Sequence, residues 1–191
     1  MQTKRNIAVL VSGRGSNLKA LIDAASAPDF PAQIVLVLSN KADAFALEHA
    51  RNAQIPTLVL SHKAYETREA FDEVMHEMLL AHRVEFVCLA GFMRILSDQF
   101  VARWQGKMIN IHPSLLPKYK GLDTHARALA AGESEHGCSI HWVSSGVDEG
   151  EVIAQARVVV MEDDSEQSLA ARVLEAENIL YPDTLKKVLA S

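Results

Sequence analysis

Residues 7–25 read IAVLVSGRGSNLKALIDAA, and this stretch decides the fold. Residues 7–11 are a continuous apolar run, as expected of a parallel strand covered on both faces. The run breaks into Ser12-Gly13-Arg14-Gly15-Ser16-Asn17, and residues 18–25 then carry apolar side chains at helical spacing. Strand, glycine-rich turn and helix start follow one another without interruption. The free N–H groups of such a helix start, with the Ser16 and Asn17 side chains, form a natural anion site. A Walker loop needs GxxxxGK[ST], which is absent. A dinucleotide fingerprint needs a third Gly where Leu18 stands, and an acidic residue after the second strand where Ser39-Asn40 stand. A single phosphate therefore fits better than a pyrophosphate. A tight turn with an N-cap is the plainer alternative, and this motif alone weighs the two about equally.

Outward from this unit, apolar runs predict strands at 34–38, 57–60 and 84–89, a fifth starting at 108, and two more at 139–143 and 156–160. Helical spacing predicts helices over 43–51, 65–81, 97–104 and 124–131, with Ser97 as an N-cap. A long helix is expected over 165–181, punctuated by Pro182, with 185–189 closing the chain. Strands alternate with helices through the first half, which predicts a parallel sheet. Shorter connections later predict an antiparallel edge. The fold class is α/β, in one domain spanning 1–191, with no internal repeat or linker.

The formal net charge of -5 argues against nucleic acid as the main partner and leaves room for a local pocket for a small anion. Two cysteines, neither in a CxxC pair, give no disulfide framework. No apolar stretch approaches membrane-spanning length, and the first apolar run is too short for a signal peptide, so a cytoplasmic location is expected.

The chemistry concentrates in residues 108–119, MINIHPSLLPKY. In a strand Asn110 and His112 point one way, and Ile109 and Ile111 the other. Pro113 ends the strand, because it lacks a donor. An amide and an imidazole thus stand together at a C-terminal strand end, where open α/β sheets bind ligands. Asp148, in the turn-forming loop 145–150, can join them; a carboxylate near an imidazole raises its pKa, so that it donates at neutral pH. Asn110 can hold a developing oxyanion. No GxSxG elbow is present, and no protein nucleophile pairs with His112, so addition of a substrate nucleophile to a carbonyl is the chemistry this set suits. Eight histidines raise a metal site, but there is no HExxH, CxxC or carboxylate set, and no metal is expected. His49, His62, His76 and His82 are expected to face solvent, His125 and His136 to be surface or pocket residues, and His141 to be a satisfied core or supporting histidine. The 91–96 segment, Gly-Phe-Met-Arg-Ile-Leu, is either a pocket wall for a flat ligand or a loop packed into the core. Arg68 reads as a solvated helix charge.

Four segments, VLVSGRGSNLKALIDA, LAGFMRILS, INIHPSLLPKYKGLDTHARAL and VDEGEVIAQ, together resemble the glycinamide ribonucleotide formyltransferase family, folate-dependent enzymes of purine biosynthesis. The resemblance covers nearly the whole chain, and its Asn-x-His-Pro-Ser-Leu-Leu-Pro run is highly specific. It implies a Rossmann-like three-layer α/β/α fold with a mainly parallel seven-stranded sheet. It also implies a phosphate-binding half up to about residue 105 and a catalytic and folate half from about 106. The implied activity is transfer of a formyl group from 10-formyltetrahydrofolate, the co-substrate, to the amine of glycinamide ribonucleotide. Asn110, His112 and Asp148 fall on the catalytic positions. Gly13, Gly15, Ser16, Asn17 and Glu177 fall on the ribonucleotide and its phosphate. Arg68, Met93, Arg94, Ile95, Leu96 and Asn110 fall on the folate. Asp123 stands where several relatives carry His, and Glu151 where Pro is common.

Other enzymes sharing the Asn-x-His-Pro signature are the alternatives: methionyl-tRNA formyltransferase, which has a further RNA-binding domain, and formyltetrahydrofolate deformylase, which has an N-terminal regulatory one. A non-catalytic nucleotide-binding module is the rival of another class. The expected partners are the two small substrates, without nucleic acid or membrane, in a monomer or a homodimer.

Overall fold

A computed structural model describes residues 4–190. Seven strands, β1 (Arg5–Val11), β2 (Ala32–Ser39), β3 (Thr57–Val59), β4 (Phe86–Leu89), β5 (Met108–His112), β6 (Glu135–Trp142) and β7 (Val152–Val159), form one sheet. Six helices accompany them: α1 (Ser16–Ala25), α2 (Ala46–Asn52), α3 (Arg68–Ala81), α4 (Asp98–Arg103), α5 (Thr124–Ala130) and α6 (Glu166–Ala190). The strand order is β3-β2-β1-β4-β5-β6-β7. The pairs among β1 to β5 are all parallel, while β6 is antiparallel to both β5 and β7. The expected antiparallel edge therefore consists of a reversed next-to-last strand, and the true edge strand β7 runs with the majority.

Alternation along each strand builds the three layers. Ile7, Val9 and Val11 of β1 face a core closed by Leu18 and Leu21 of α1, Leu47 of α2, and Tyr181 and Leu185 of α6. Ala8 and Leu10 face the opposite core, closed by Phe71, Met75 and Leu79 of α3 and Phe100 of α4. Both faces are dry, which explains the unbroken apolar runs of β1 and β2. Thr67 caps α3, accepting from the Ala70 N–H at 3.1 Å, so this helix starts after a 3-10 turn at His62–Ala64 rather than at residue 65. Ser97 caps α4 as expected.

Pro182 does not end the last helix: α6 runs unbroken from Glu166 to Ala190. Proline removes one helical donor and crowds the preceding turn. Burial of Tyr181, Thr184 and Leu185 on either side of it holds the helix in register across the defect. β6 and β7 also begin earlier than expected, because Glu135, His136 and Gly137 in the one and Gln155 in the other interrupt their apolar pattern.

The strand order reverses between β1 and β4. The chain returns from β3 at one edge to lay β4 beside β1, opening a crevice beyond the C-terminal ends of these two strands.

Candidate active site

A cleft of about 820 Å³ occupies this crevice. Its lining runs from Asn17 and Glu177 on one side, past Asn110, His112 and Asp148, to Met93, Arg94, Ile95 and Leu96 on the other.

The anion side is set by Gly15, which precedes α1 with a left-handed backbone at φ +84°. A Cβ there would lie 2.6 Å from the Ala46 backbone, so no side chain fits. No side chain caps α1, which leaves the N–H groups of its first turn free for a ligand. Asn17 donates from Nδ2 to Glu177 Oε2 at 2.7 Å, joining the loop to α6. Burial pushes the Glu177 carboxyl above its ordinary pKa, against the pull of this bond. Ser16 is half-buried beside Asn17, and Gly13 is exposed at the rim.

The polar centre comes from β5 and its neighbours. Asn110 and His112 share a face, as their spacing requires, opposite the buried Ile109 and Ile111. Antiparallel pairing sets His141 of β6 directly across from Asn110. The His141 Nδ1–H donates to the Trp142 carbonyl at 2.9 Å, and its Nε2 lies 3.1 Å from Asn110 Nδ2. Asp148 reaches both histidines, at 3.3 Å from His112 Nδ1 and 3.5 Å from His141 Nε2. It also accepts the Gly121 N–H at 2.9 Å. Because β6 is reversed, the loop carrying Asp148 leaves beside Met108, at the start of β5, and must fold back to meet His112. Gly150 makes that path possible: a Cβ there would sit 1.6 Å from the Trp142 carbonyl oxygen.

His112 Nε2–H donates to the Tyr119 carbonyl at 2.9 Å. Asp148 pulls this imidazole upward as the sequence led one to expect, but the expected net rise is overturned by its surroundings. Burial pulls the His112 pKa below its ordinary value, outweighing the opposite pulls of the Tyr119 carbonyl and Asp148. Burial raises Asp148 in turn, but the His141 ring at 3.5 Å and the Gly121 N–H overcome it, and its pKa lies below the ordinary value. The resting site thus pairs a neutral imidazole with a carboxylate. An imidazole that takes up a proton here places it against Asp148.

The opposite wall is apolar. Met93 is 65% and Ile95 54% exposed, large values for such side chains, while Leu96 is buried. Leu122 and Val147, also exposed, face the same cleft. The Arg94 guanidinium stacks over the Phe71 ring at 4.7 Å. The 91–96 segment is therefore a pocket wall. Arg68 is exposed at the first turn of α3 and is not part of the lining.

Sequence reasoning did not bring His141, Leu122, Val147 or Glu166 into the cleft. The two apolar residues in polar loops were a readable signal; the register that delivers His141 was not. His49, His62, His76 and His82 are half-buried rather than solvated. Among the described residues no cluster of His, Cys, Asp or Glu is placed to hold a metal ion.

A doubly wound α/β sheet with a polar centre between an anion-binding helix start and an apolar wall defines an enzyme that brings two ligands together at a switch point. The chain belongs to the formyl transferase family, whose model matches residues 5–185. It is 51% identical over 178 residues to the phosphoribosylglycinamide formyltransferase of Escherichia coli, covering 93% of this chain and 84% of that one. A crystal structure of phosphoribosylglycinamide formyltransferase from Brucella melitensis superposes with a TM-score of 0.95 at 46% identity, over 99% of this chain and 97% of the other. The chain is also 51% identical over 187 residues to the trifunctional purine biosynthetic protein adenosine-3 of Chironomus tentans, where it spans 14% of that protein's length.

Proposed function

We propose that this chain transfers the formyl group of 10-formyltetrahydrofolate to the amine of glycinamide ribonucleotide, a step of purine biosynthesis. The observation that carries the reading is the position of Asn110, His112 and Asp148, midway between the free start of α1 and the apolar wall at 93–96. The phosphate would sit on Gly13, Gly15, Ser16 and Asn17, with the buried Glu177 carboxylate accepting from a sugar hydroxyl. The flat folate ring would lie along Met93 to Leu96. A role for Arg68 with the folate tail rests on the family resemblance alone.

The substrate amine attacks the formyl carbon, and the carbonyl electrons move onto oxygen. The Asn110 amide, whose nitrogen lies 3.1 Å from His141 Nε2, donates its other N–H to that oxyanion. Neutral His112 accepts the proton lost by the attacking nitrogen, and Asp148 stabilises the resulting imidazolium. The proton passes to N10 of the folate as the carbon–N10 bond breaks. Holding both substrates in one geometry supplies much of the acceleration. No helix among the described residues is long and apolar enough to cross a membrane; a cytoplasmic location belongs to the same proposal.

The test is a formyl-transfer assay with purified protein and both substrates, followed at the folate chromophore, beside titrations with ribonucleotide and with NAD. Stoichiometric formylation of the ribonucleotide is expected. Tight NAD binding with no ribonucleotide binding and no transfer would sink the reading.

A further inference from the structure

Between the two ligand subsites lies a buried hydroxyl that is not itself part of the cleft lining. Ser12, the residue after β1, is 4% exposed. Its Oγ–H donates to Asn40 Oδ1 at 2.6 Å, and its oxygen accepts the Met93 N–H at 2.8 Å. Asn40, just past the end of β2, is 3% exposed. One side chain therefore ties together the ends of β2, β1 and β4. On its C-terminal side run Gly13 to Asn17, the anion loop; from Met93 runs the apolar wall.

The backbone ladder between β1 and β4 reaches its last rung where the Ala90 N–H donates to the Leu10 carbonyl at 2.9 Å. Beyond that rung the two loops diverge around the cleft. Among the described residues, the Ser12–Met93 bond is the only hydrogen bond joining 12–17 to 91–97. The hydroxyl spends its one proton on Asn40 and a lone pair on Met93, so its rotor is fixed from both sides.

We infer that Ser12 is a positioning residue that sets the distance between the two bound substrates, an inference resting on the transfer reading above. Reaction between two ligands requires attacking and accepting atoms about 3–3.5 Å apart, and a misplacement of about 1 Å can cost on the order of 10²-fold in rate. The subsites are each built mainly from their own loop. Loosening the bond between them should leave each ligand bound and the reacting atoms misaligned. Asn40 acts one step further out, orienting the hydroxyl.

The experiment compares wild type, Ser12→Ala, Ser12→Thr and Asn40→Ala, with Leu79→Ala as a control that lowers stability from the α3 core. Steady-state kinetics give kcat and both KM values; equilibrium titration gives ribonucleotide affinity. For Ser12→Ala a fall in kcat of about tenfold or more is expected, with each KM and the ribonucleotide Kd within about threefold. Ser12→Thr, which retains the hydroxyl, should recover much of the lost kcat. Asn40→Ala should shift kcat in the same direction by less, and it carries the test should Ser12→Ala not fold. An unchanged kcat, a rise in KM alone, or an equal kcat loss in Leu79→Ala overturns the positioning role. Absence of formyl transfer in wild type overturns the functional reading instead, so the two failures are distinguishable.

Discussion

Strands β1 to β4 and strands β5 to β7 belong to one sheet, yet different forces hold the segments that follow them. In the first group, parallel strands lie between two dry cores, and side chains such as Leu18, Leu47, Phe71 and Leu79 are fully buried. In the second, polar side chains staple backbone. Ser139 Oγ donates to the Ser114 carbonyl at 2.6 Å and accepts the Leu116 N–H at 3.0 Å. Gln155 Nε2 donates to the Leu116 carbonyl at 2.9 Å, and Thr124 Oγ1 to that of Pro113 at 2.6 Å. The stapled loop is the one that offers the Tyr119 carbonyl to His112 and the Gly121 N–H to Asp148. Apolar packing is forgiving in direction, whereas hydrogen bonds fix atoms to within a few tenths of an ångström. A reacting centre belongs on the second kind of support. Damage to the apolar cores of the first region should therefore appear as lost stability, and damage to the polar staples, including the Ser12 bond to Met93 in the first region, as lost turnover.

The sharpest break is Asp148→Ala. It removes the group that stabilises a protonated His112 and the acceptor of the Gly121 N–H. Turnover should fall by about 10²–10⁴-fold, with ribonucleotide affinity nearly unchanged because the α1 site is built elsewhere. Stopped-time assays of kcat beside a binding titration check this. Retention of near-wild-type turnover would remove Asp148 from the mechanism.

Leu79→Ala tests the other region. Leu79 is fully buried in the core beneath α3. The truncation should cost about 2–5 kcal/mol of stability, read as a lowered denaturant midpoint. At temperatures where the variant stays folded, kcat should hold. A fall in kcat of tenfold or more in fully folded protein would show that the two regions are not separable in this way.

The same contrast decides what was legible beforehand. The β1–α1 unit, the parallel first half and the pairing of Asn110 with His112 follow from period and from Pro113, all local features. Asp148 and Glu177 became site residues through the family resemblance and the loop chemistry, and the cleft brings both into its wall. His141 could not be placed, since its position opposite Asn110 depends on a register between strands 31 residues apart along the chain. The early start of β6 was hidden for a related reason: Glu135, His136 and Gly137 look like loop residues until their backbone partners are known. The net direction of the His112 shift was misjudged because a sequence names the charge beside an imidazole and not the depth at which it lies.

Gln155→Ala loosens one staple without touching the catalytic residues. It deletes the bonds to the Leu116 carbonyl and to Ser139 Oγ, both 2.9 Å. A stability loss of about 1 kcal/mol is expected, far below that of Leu79→Ala, together with a several-fold fall in kcat. The ratio of the two losses is the informative quantity: relative to Leu79→Ala, this variant should lose more turnover per kcal/mol of stability. The reverse ratio would put the staples among ordinary structural bonds.

Acid gives the mildest test. Burial lowers the pKa of His112, His125 and His136, all near the stapled loop, and takes His136 down to about 4. His136 is faced by His125, Glu133, His112 and the Pro113 carbonyl; burial and the two imidazoles lower it, while the carboxylate and carbonyl oppose them. An imidazole in the unfolded chain titrates near 6.5. Between that value and the lower folded pKa the unfolded state binds more protons, so stability rises with pH across this window and is lost as pH falls through it. The first region contributes one such group, His76. The thermal midpoint should therefore drop by roughly 5 °C between pH 7.5 and pH 5, and His136→Gln should show a smaller drop. A midpoint flat over this range would mean that these imidazoles are not held neutral by burial. The pairing of a neutral His112 with an ionised Asp148, on which the proton transfer depends, would then need a different account.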